Sequence, residues 1–288
     1  MTLYQYSRLL SLDVALGSVA GASLAAYICG TLGRMPWSWW LLLPLIVWLI
    51  YTADHLLDAR RIGPDAAAPR HQFHYRHFRV LASLLLLGSI VAGVVILLYL
   101  PRPLLYVGLG LGAAALLHLC FAQWTAFRRY PAEAIIALLY TAGVWFGPLL
   151  TPPGVPRGIG PEALRSSLVL FFLSAFTNLV VFSLFERETD ARESPNTIVA
   201  MLGVKKSEGL LYTGLIVSLA ISGALLRRSG ESVSFWLVLL LFCVANVPLA
   251  VYATRGFFAR DERYRAVCDG VFIAYALPAL VALVALVD

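Results

Sequence analysis

The stretch Tyr51-Thr-Ala-Asp54-His-Leu-Leu-Asp58-Ala-Arg60-Arg61 closes a long apolar run with two carboxylates four residues apart. On a helix, residues i and i+4 share one face, which sets Asp54 and Asp58 about 6 Å apart. Carboxylates that close repel one another unless a cation sits between them. A second stretch, Glu186-Arg-Glu-Thr-Asp190, repeats the spacing, and Asn178 lies two turns earlier on roughly the same face. Four such oxygens from two helices, with Asn178 as a further donor, suit a hard divalent cation. Mg²⁺ is the expected one, because it keeps some waters and takes remaining ligands from phosphate. Arg60 and Arg61 flank the first pair, and Arg187, Arg192, Lys205 and Lys206 follow the second, where they can hold phosphate oxygens. Taken alone, each stretch also reads as a solvated helix end carrying mixed charge. Two pairs at equal spacing at the ends of membrane helices favour the cation site.

The elements that must position these groups follow from composition. The chain has 288 residues, 60% hydrophobic and 13% charged, with a mean hydropathy of +0.81. Soluble domains are about 45–50% apolar and about 25% charged. The expected fold class is therefore an all-α polytopic membrane protein, one bundle of about nine transmembrane helices around a central cavity. The spans are expected near 9–30, 37–58, 79–100, 103–121, 132–150, 167–186, 209–226, 234–253 and 269–287. The length leaves no room for a separate soluble domain. The loops after the second, fourth, sixth and eighth spans, together with Arg8, hold 16 of the 22 lysines and arginines. The positive-inside rule then places the amino terminus and both carboxylate pairs in the cytoplasm. The expected location is a bacterial inner membrane.

Cys29, Cys120, Cys243 and Cys268 are scattered singly, so they suggest neither a disulfide framework nor a zinc site. A net charge of +6 is ordinary for basic membrane loops and does not call for nucleic acid. Asp13 interrupts the first apolar run, and no cleavable leader stands out.

In this order and spacing the fragments resemble the UbiA superfamily of intramembrane prenyltransferases. That family carries two aspartate-rich motifs, at the ends of helices two and six. Its first motif, NDxxDxxxD, falls on Ile50 to Asp58; the last two aspartates match, while Ile50 and Tyr51 replace the leading Asn and Asp. Its second, DxxxD, falls on Glu186 to Asp190, with Glu in the first place. Leu12-Asp13-Val-Ala-Leu-Gly17 and Phe127-Arg128-Arg129-Tyr130-Pro131 are similar to two further family fragments. The resemblance implies Mg²⁺-dependent transfer of an isoprenoid from its diphosphate to a lipophilic acceptor. Asp54, Asp58, Glu186 and Asp190 would contact the metal. Arg60, Arg61, Arg70, Arg128, Arg129, Lys205 and Lys206 would hold the diphosphate. The replaced Asn and Asp leave a second possibility, a membrane protein of the same fold that carries a lipid or ion, or serves in a complex, without catalysis.

Arg70-His71-Gln-Phe-His74-Tyr-Arg76-His77 is the most unusual polar run. It reads either as an amphipathic loop on the lipid headgroups or as a phosphate- or metal-facing segment. By resemblance it covers the cavity, with Arg70 and His74 as a lid. Asp13 and Glu133 are intramembrane acids that either meet the acceptor or form internal ion pairs. Asp269 is expected at a helix start, where it favours the dipole.

Overall fold

The computed structural model describes residues 3–123, 131–153, 160–193, 196–228 and 234–284. Among them every regular element is helical and no strand occurs. Nine helical segments are long and apolar enough to cross a membrane, so the chain is an integral membrane protein. Numbered in chain order, the spans are α2 (Leu12–Cys29), α3 (Trp37–Ile62), α5 (Phe78–Tyr99), α6 (Arg102–Gln123), α7 (Ala132–Leu150), α8 (Pro161–Phe185), α11 (Val204–Arg228) and α12 (Phe235–Ala253). The ninth span joins α14 (Arg263–Gly270), a 3₁₀ stretch (Val271–Ala276) and α15 (Leu277–Val284). Short helices α1 (Leu3–Leu9), α4 (Pro69–Arg76), α9 (Arg187–Glu193), α10 (Ile198–Leu202) and α13 (Arg255–Phe258) flank the spans at the arginine-rich end.

Two spans form the centre. Of the most apolar window of α2 and of α8, 56% is buried, against 11% for α6. Small residues let α2 run there: Gly17, Ser18, Ala20, Gly21, Ala22, Ala25 and Ala26 are all buried, and small side chains let helix backbones approach in lipid. Its neighbours are α3, α7 and the 3₁₀ stretch, while α8 packs on α7, α11 and α12. Phe171 of α8 presses on Gly21, where an added Cβ would lie 2.8 Å from the ring. Trp39 of α3 closes on Gly147 of α7 at a comparable 2.5 Å. Peripheral α5 and α6 expose long apolar side chains such as Leu97, Leu98, Tyr106 and Leu116, as a lipid-facing surface does.

Span boundaries depart from expectation where charge meets apolar sequence. α3 stays helical through Arg61 and stops at Gly63, whose φ of +87° suits glycine. The stretch from Tyr51 to Arg61 is therefore one continuous helix. α8 begins at Pro161 rather than at 167, with proline in its first turn, where a fixed φ is tolerated. The ninth span begins at Arg263 rather than at 269, which draws Arg265 into the bundle. Asp269 consequently lies near the carboxyl end of α14, not at a helix start. Reading its charge as complementing a helix dipole is corrected.

Gly147→Ala is expected to lower stability by about 1–3 kcal/mol, since Trp39 must move. Gly143→Ala, with nothing within 4 Å of the new methyl, is expected to leave the melting temperature in detergent unchanged. Thermal denaturation of the two variants side by side checks this.

Candidate functional site

The bundle encloses a cavity of about 800 Å³, at the upper part of the range of about 300–1,000 Å³ for ligand sites. Its wall comes from α2, α3, α6, α7, α8 and the ninth span. Most of the wall is apolar, with Leu42, Ile46, Leu105, Ile136, Val144 and Phe146 among its side chains. The arginine-rich end differs: Asp54, Asp58, Arg61, Arg70, His71, Glu186, Asp190 and Arg265 all reach it there. The two carboxylate pairs thus meet at one mouth, although the four carboxylates have different surroundings.

Glu186 caps the end of α8 and is fully engaged. Arg265 and the Tyr264 hydroxyl (2.7 Å) both donate to its Oε1, and Arg70 pairs with its Oε2 at 3.2 Å. Burial alone would raise this carboxyl; Arg265 and Arg70 instead hold it down at about 2. Aromatic rings steady the donors, with Arg265 4.6 Å above Phe182 and Tyr264 stacked on Phe185 at 4.2 Å. Glu186, expected to contact the metal, here positions two guanidiniums, with Oε1 taking two donors and Oε2 one.

Asp54 and Asp190 are the opposite case. Among the described residues neither carboxylate accepts a hydrogen bond or enters an ion pair. Asp190 is only 6% exposed, and burial together with nearby Glu186 pushes it up to about 7. Asp58 lies between these extremes. Its Oδ1 accepts from Arg61 at 2.6 Å and from the Gln123 amide at 3.2 Å, while Oδ2 lies 3.9 Å from His71.

Glu193, a residue not singled out by the sequence, ties the two stretches together. Its carboxylate accepts from the backbone N–H groups of Ala67 and Ala68 and from His71 Nδ1 at 2.7 Å. Its backbone oxygen accepts from Arg61 at 3.0 Å. Burial opposes this charge, but the Ala67 amide and His71 win and lower its pKa. Burial and Arg70 keep His71 below the ordinary imidazole value, so the neutral ring donates through Nδ1 and accepts from Arg70 Nε at Nε2.

The remaining expected residues divide clearly. Arg61 and Arg70 line the cavity, whereas Arg60, Lys205 and Lys206 are exposed and stand away from it. Arg128 and Arg129 lie outside the described residues. α4 brings Arg70 into the cavity wall, where it pairs with Glu186, but His74 is no part of the wall. It is buried, with Nδ1 bonded to the Arg70 carbonyl oxygen (2.8 Å) and its ring against His55. Glu133 is consumed structurally, accepting from Ser183 and from the Ile198 N–H that opens α10. It is therefore neither free for an acceptor nor paired with a described arginine. Asn178 turns its amide N–H to Asp269 at 3.2 Å instead of toward the mouth carboxylates. Asp13 lines the cavity near the start of α2.

Sequence reasoning missed Arg265, Tyr264 and Glu193, and took Asp269 only as a helix-start charge. The available signal was the i, i+4 pair Arg265 and Asp269 directly before an apolar run, a spacing like that of the two noted pairs.

Among the described residues no group of three or more His, Cys, Asp or Glu side chains is placed to hold one metal ion. The donor set fits only a cation that brings most of its own ligands. Mg²⁺ meets that condition, since one or two carboxylates suffice when phosphate and water supply the rest. Asp54 and Asp190 are the lining carboxylates without a hydrogen-bond partner among the described residues. Comparison with known proteins returned no match to a family model, a curated protein or a solved structure.

Glu193→Gln is expected to loosen the 63–77 segment, raising the rate of tryptic cleavage after Arg70 at neutral pH. Because the carboxylate is held below its ordinary value of 4.5, its stabilisation is present above that pH and is lost as pH falls through the depressed pKa. The difference in melting temperature between wild type and variant should therefore be full at pH 7 and shrink in acid.

Proposed function

We propose that the protein transfers an isoprenoid group from a prenyl diphosphate to a lipophilic acceptor within the membrane, with the charged mouth facing the cytoplasm. One observation carries this reading. A single cavity of about 800 Å³ joins Arg61, Arg70, Arg265 and two carboxylates that have no hydrogen-bond partner among the described residues, at one end, to an apolar chamber at the other. A prenyl diphosphate has the same division between a multiply charged head and a long hydrocarbon. The resemblance to UbiA prenyltransferases supports the same chemistry.

In this reading Arg61, Arg70 and Arg265 contact the diphosphate oxygens, and Glu186 fixes the last two in position. Asp54 and Asp190 would hold Mg²⁺ that enters with the diphosphate, whose oxygens and water supply the remaining ligands. Mg²⁺ supplies counter-charge to the departing diphosphate when bound. The guanidiniums stabilise the same charge as preorganised donors in a site sheltered from water. The allylic C–O bond breaks and its electron pair leaves on the diphosphate. A lone pair of the acceptor closes the new bond to the allylic carbon, and the acceptor's proton passes to the departing diphosphate. Tyr51, Tyr140 and Phe182 line the chamber, where aromatic rings stabilise a developing cation.

The engagement of Glu186 by three donors and the lack of a three-group metal cluster among the described residues favour one alternative, a carrier that binds an anionic isoprenoid lipid without cleaving it. Purified protein incubated with farnesyl diphosphate and Mg²⁺ separates the two. Transfer chemistry gives Mg²⁺-dependent diphosphate release, which Asp54→Asn or Asp190→Asn reduces by about a hundredfold or more. Arg60→Gln and Lys205→Gln, at exposed positions, leave the rate unchanged. Tight binding without release identifies the carrier, and absence of binding rejects both readings.

A further inference from the structure

Beneath the charged mouth the cavity has a second polar layer. Five separate elements supply it: Asp13 from α2, Tyr51 from α3, Tyr140 from α7, Asn178 from α8 and Asp269 from α14. At about 1.5 Å rise per residue, Tyr51 lies ~4.5 Å deeper than Asp54 and Asn178 ~12 Å deeper than Glu186. None of the mouth interactions described above uses these groups.

Their hydrogen bonds are incomplete. Asn178 is 6% exposed, stands in the cavity wall and gives its N–H to Asp269, and its Oδ1 is buried without a donor. One Asp13 oxygen takes the Val14 N–H at 2.9 Å and one Asp269 oxygen takes the Asn178 amide, so each carboxylate keeps one oxygen free. The Tyr51 and Tyr140 hydroxyls have no hydrogen-bond partner among the described residues. Polar groups at this depth in a membrane protein are costly unless they serve a ligand or one another.

We infer that this layer is a subsite for the hydroxyl group of a neutral lipophilic molecule, the acceptor of the transferred isoprenoid. The name acceptor rests on the transfer reading; recognition of the hydroxyl does not. Free acceptors at Asn178 and both aspartates call for a ligand that donates. Free tyrosine hydroxyls call for one that also accepts. A hydroxyl does both, whereas an ammonium only donates. A carboxylate-bearing ligand is disfavoured. Asp13 and Asp269 both line this layer, and like charges placed together repel.

The test uses purified protein in detergent and three probes of matched length: 4-nonylphenol, 4-nonylanisole and 4-nonylbenzoate. Quenching of tryptophan fluorescence reads binding, since Trp39 lines the cavity. Nonylphenol should bind about tenfold tighter than nonylanisole, the gain of a hydrogen bond to a charged or orphaned group. Nonylbenzoate should bind no better than nonylanisole. Asn178→Leu and the near-isosteric Asp269→Asn should each cut the phenol preference below threefold while affinity for farnesyl diphosphate with Mg²⁺ stays within twofold. Equal binding of phenol and anisole, preferred binding of benzoate, or an undiminished phenol preference in Asp269→Asn overturns the subsite. A retained phenol preference without farnesyl diphosphate binding rejects the donor reading and leaves the subsite standing.

Discussion

The interaction on which the rest of the mouth depends is the clasp around Glu186. A carboxylate buried at the end of a membrane helix is tolerated only when its charge and lone pairs are compensated. Here the compensation comes from three donors on two other segments: Arg70 of α4, and Tyr264 and Arg265 of α14. The dependence is mutual, since Arg265 is drawn into the bundle where nothing but a carboxylate would offset its burial. Removing one member of such a set leaves the others buried and unpaired, a loss of about 3–5 kcal/mol. The clasp therefore fixes the start of the ninth span, the seat of α4 and the position of two guanidiniums together.

Once Glu186 is committed, the other acids of the mouth divide by what they touch. Glu193 holds backbone N–H groups and His71, and Glu133 opens α10 and ties it to α8. These two carboxylates close the structure over the cavity. Asp54 and Asp190 have no such work, and each faces the same space as the arginines. Groups without a partner among the described residues are the ones available to a ligand. The deeper layer of Asp13, Asn178 and Asp269 repeats that pattern further inside the bundle.

Much of this fold was legible in the sequence, for a physical reason. Lipid forces every span to satisfy its backbone internally and to present apolar side chains outward, so hydropathy alone marks the nine segments. The shared face of Asp54 and Asp58 followed from helical periodicity, because α3 runs unbroken to Ile62. What stayed hidden depends on contacts distant in sequence. Glu186 looked equivalent to Asp54 by spacing, and only Arg265, brought to it by the fold, separates their roles. The ninth span was placed six residues late because hydropathy penalises Arg263 and Arg265, whose charges are balanced by partners elsewhere in the chain. The histidine run, read as a loop or a ligand-facing segment, is the helix Pro69–Arg76, and its faces could not be assigned from the sequence. His71 meets the cavity and His74 lies beneath it, a difference set by Glu193 and His55.

The central claim is that one cavity recognises the charged head and the hydrocarbon of the same molecule. The most direct measurement is a comparison of dissociation constants for farnesyl diphosphate, farnesol and inorganic diphosphate, each with Mg²⁺, on purified protein and on Arg265→Gln. Farnesyl diphosphate is expected to bind at least about a hundredfold tighter than either fragment, with most of that advantage lost in the variant. Farnesol binding as tightly as farnesyl diphosphate, or an affinity indifferent to Arg265, would contradict it.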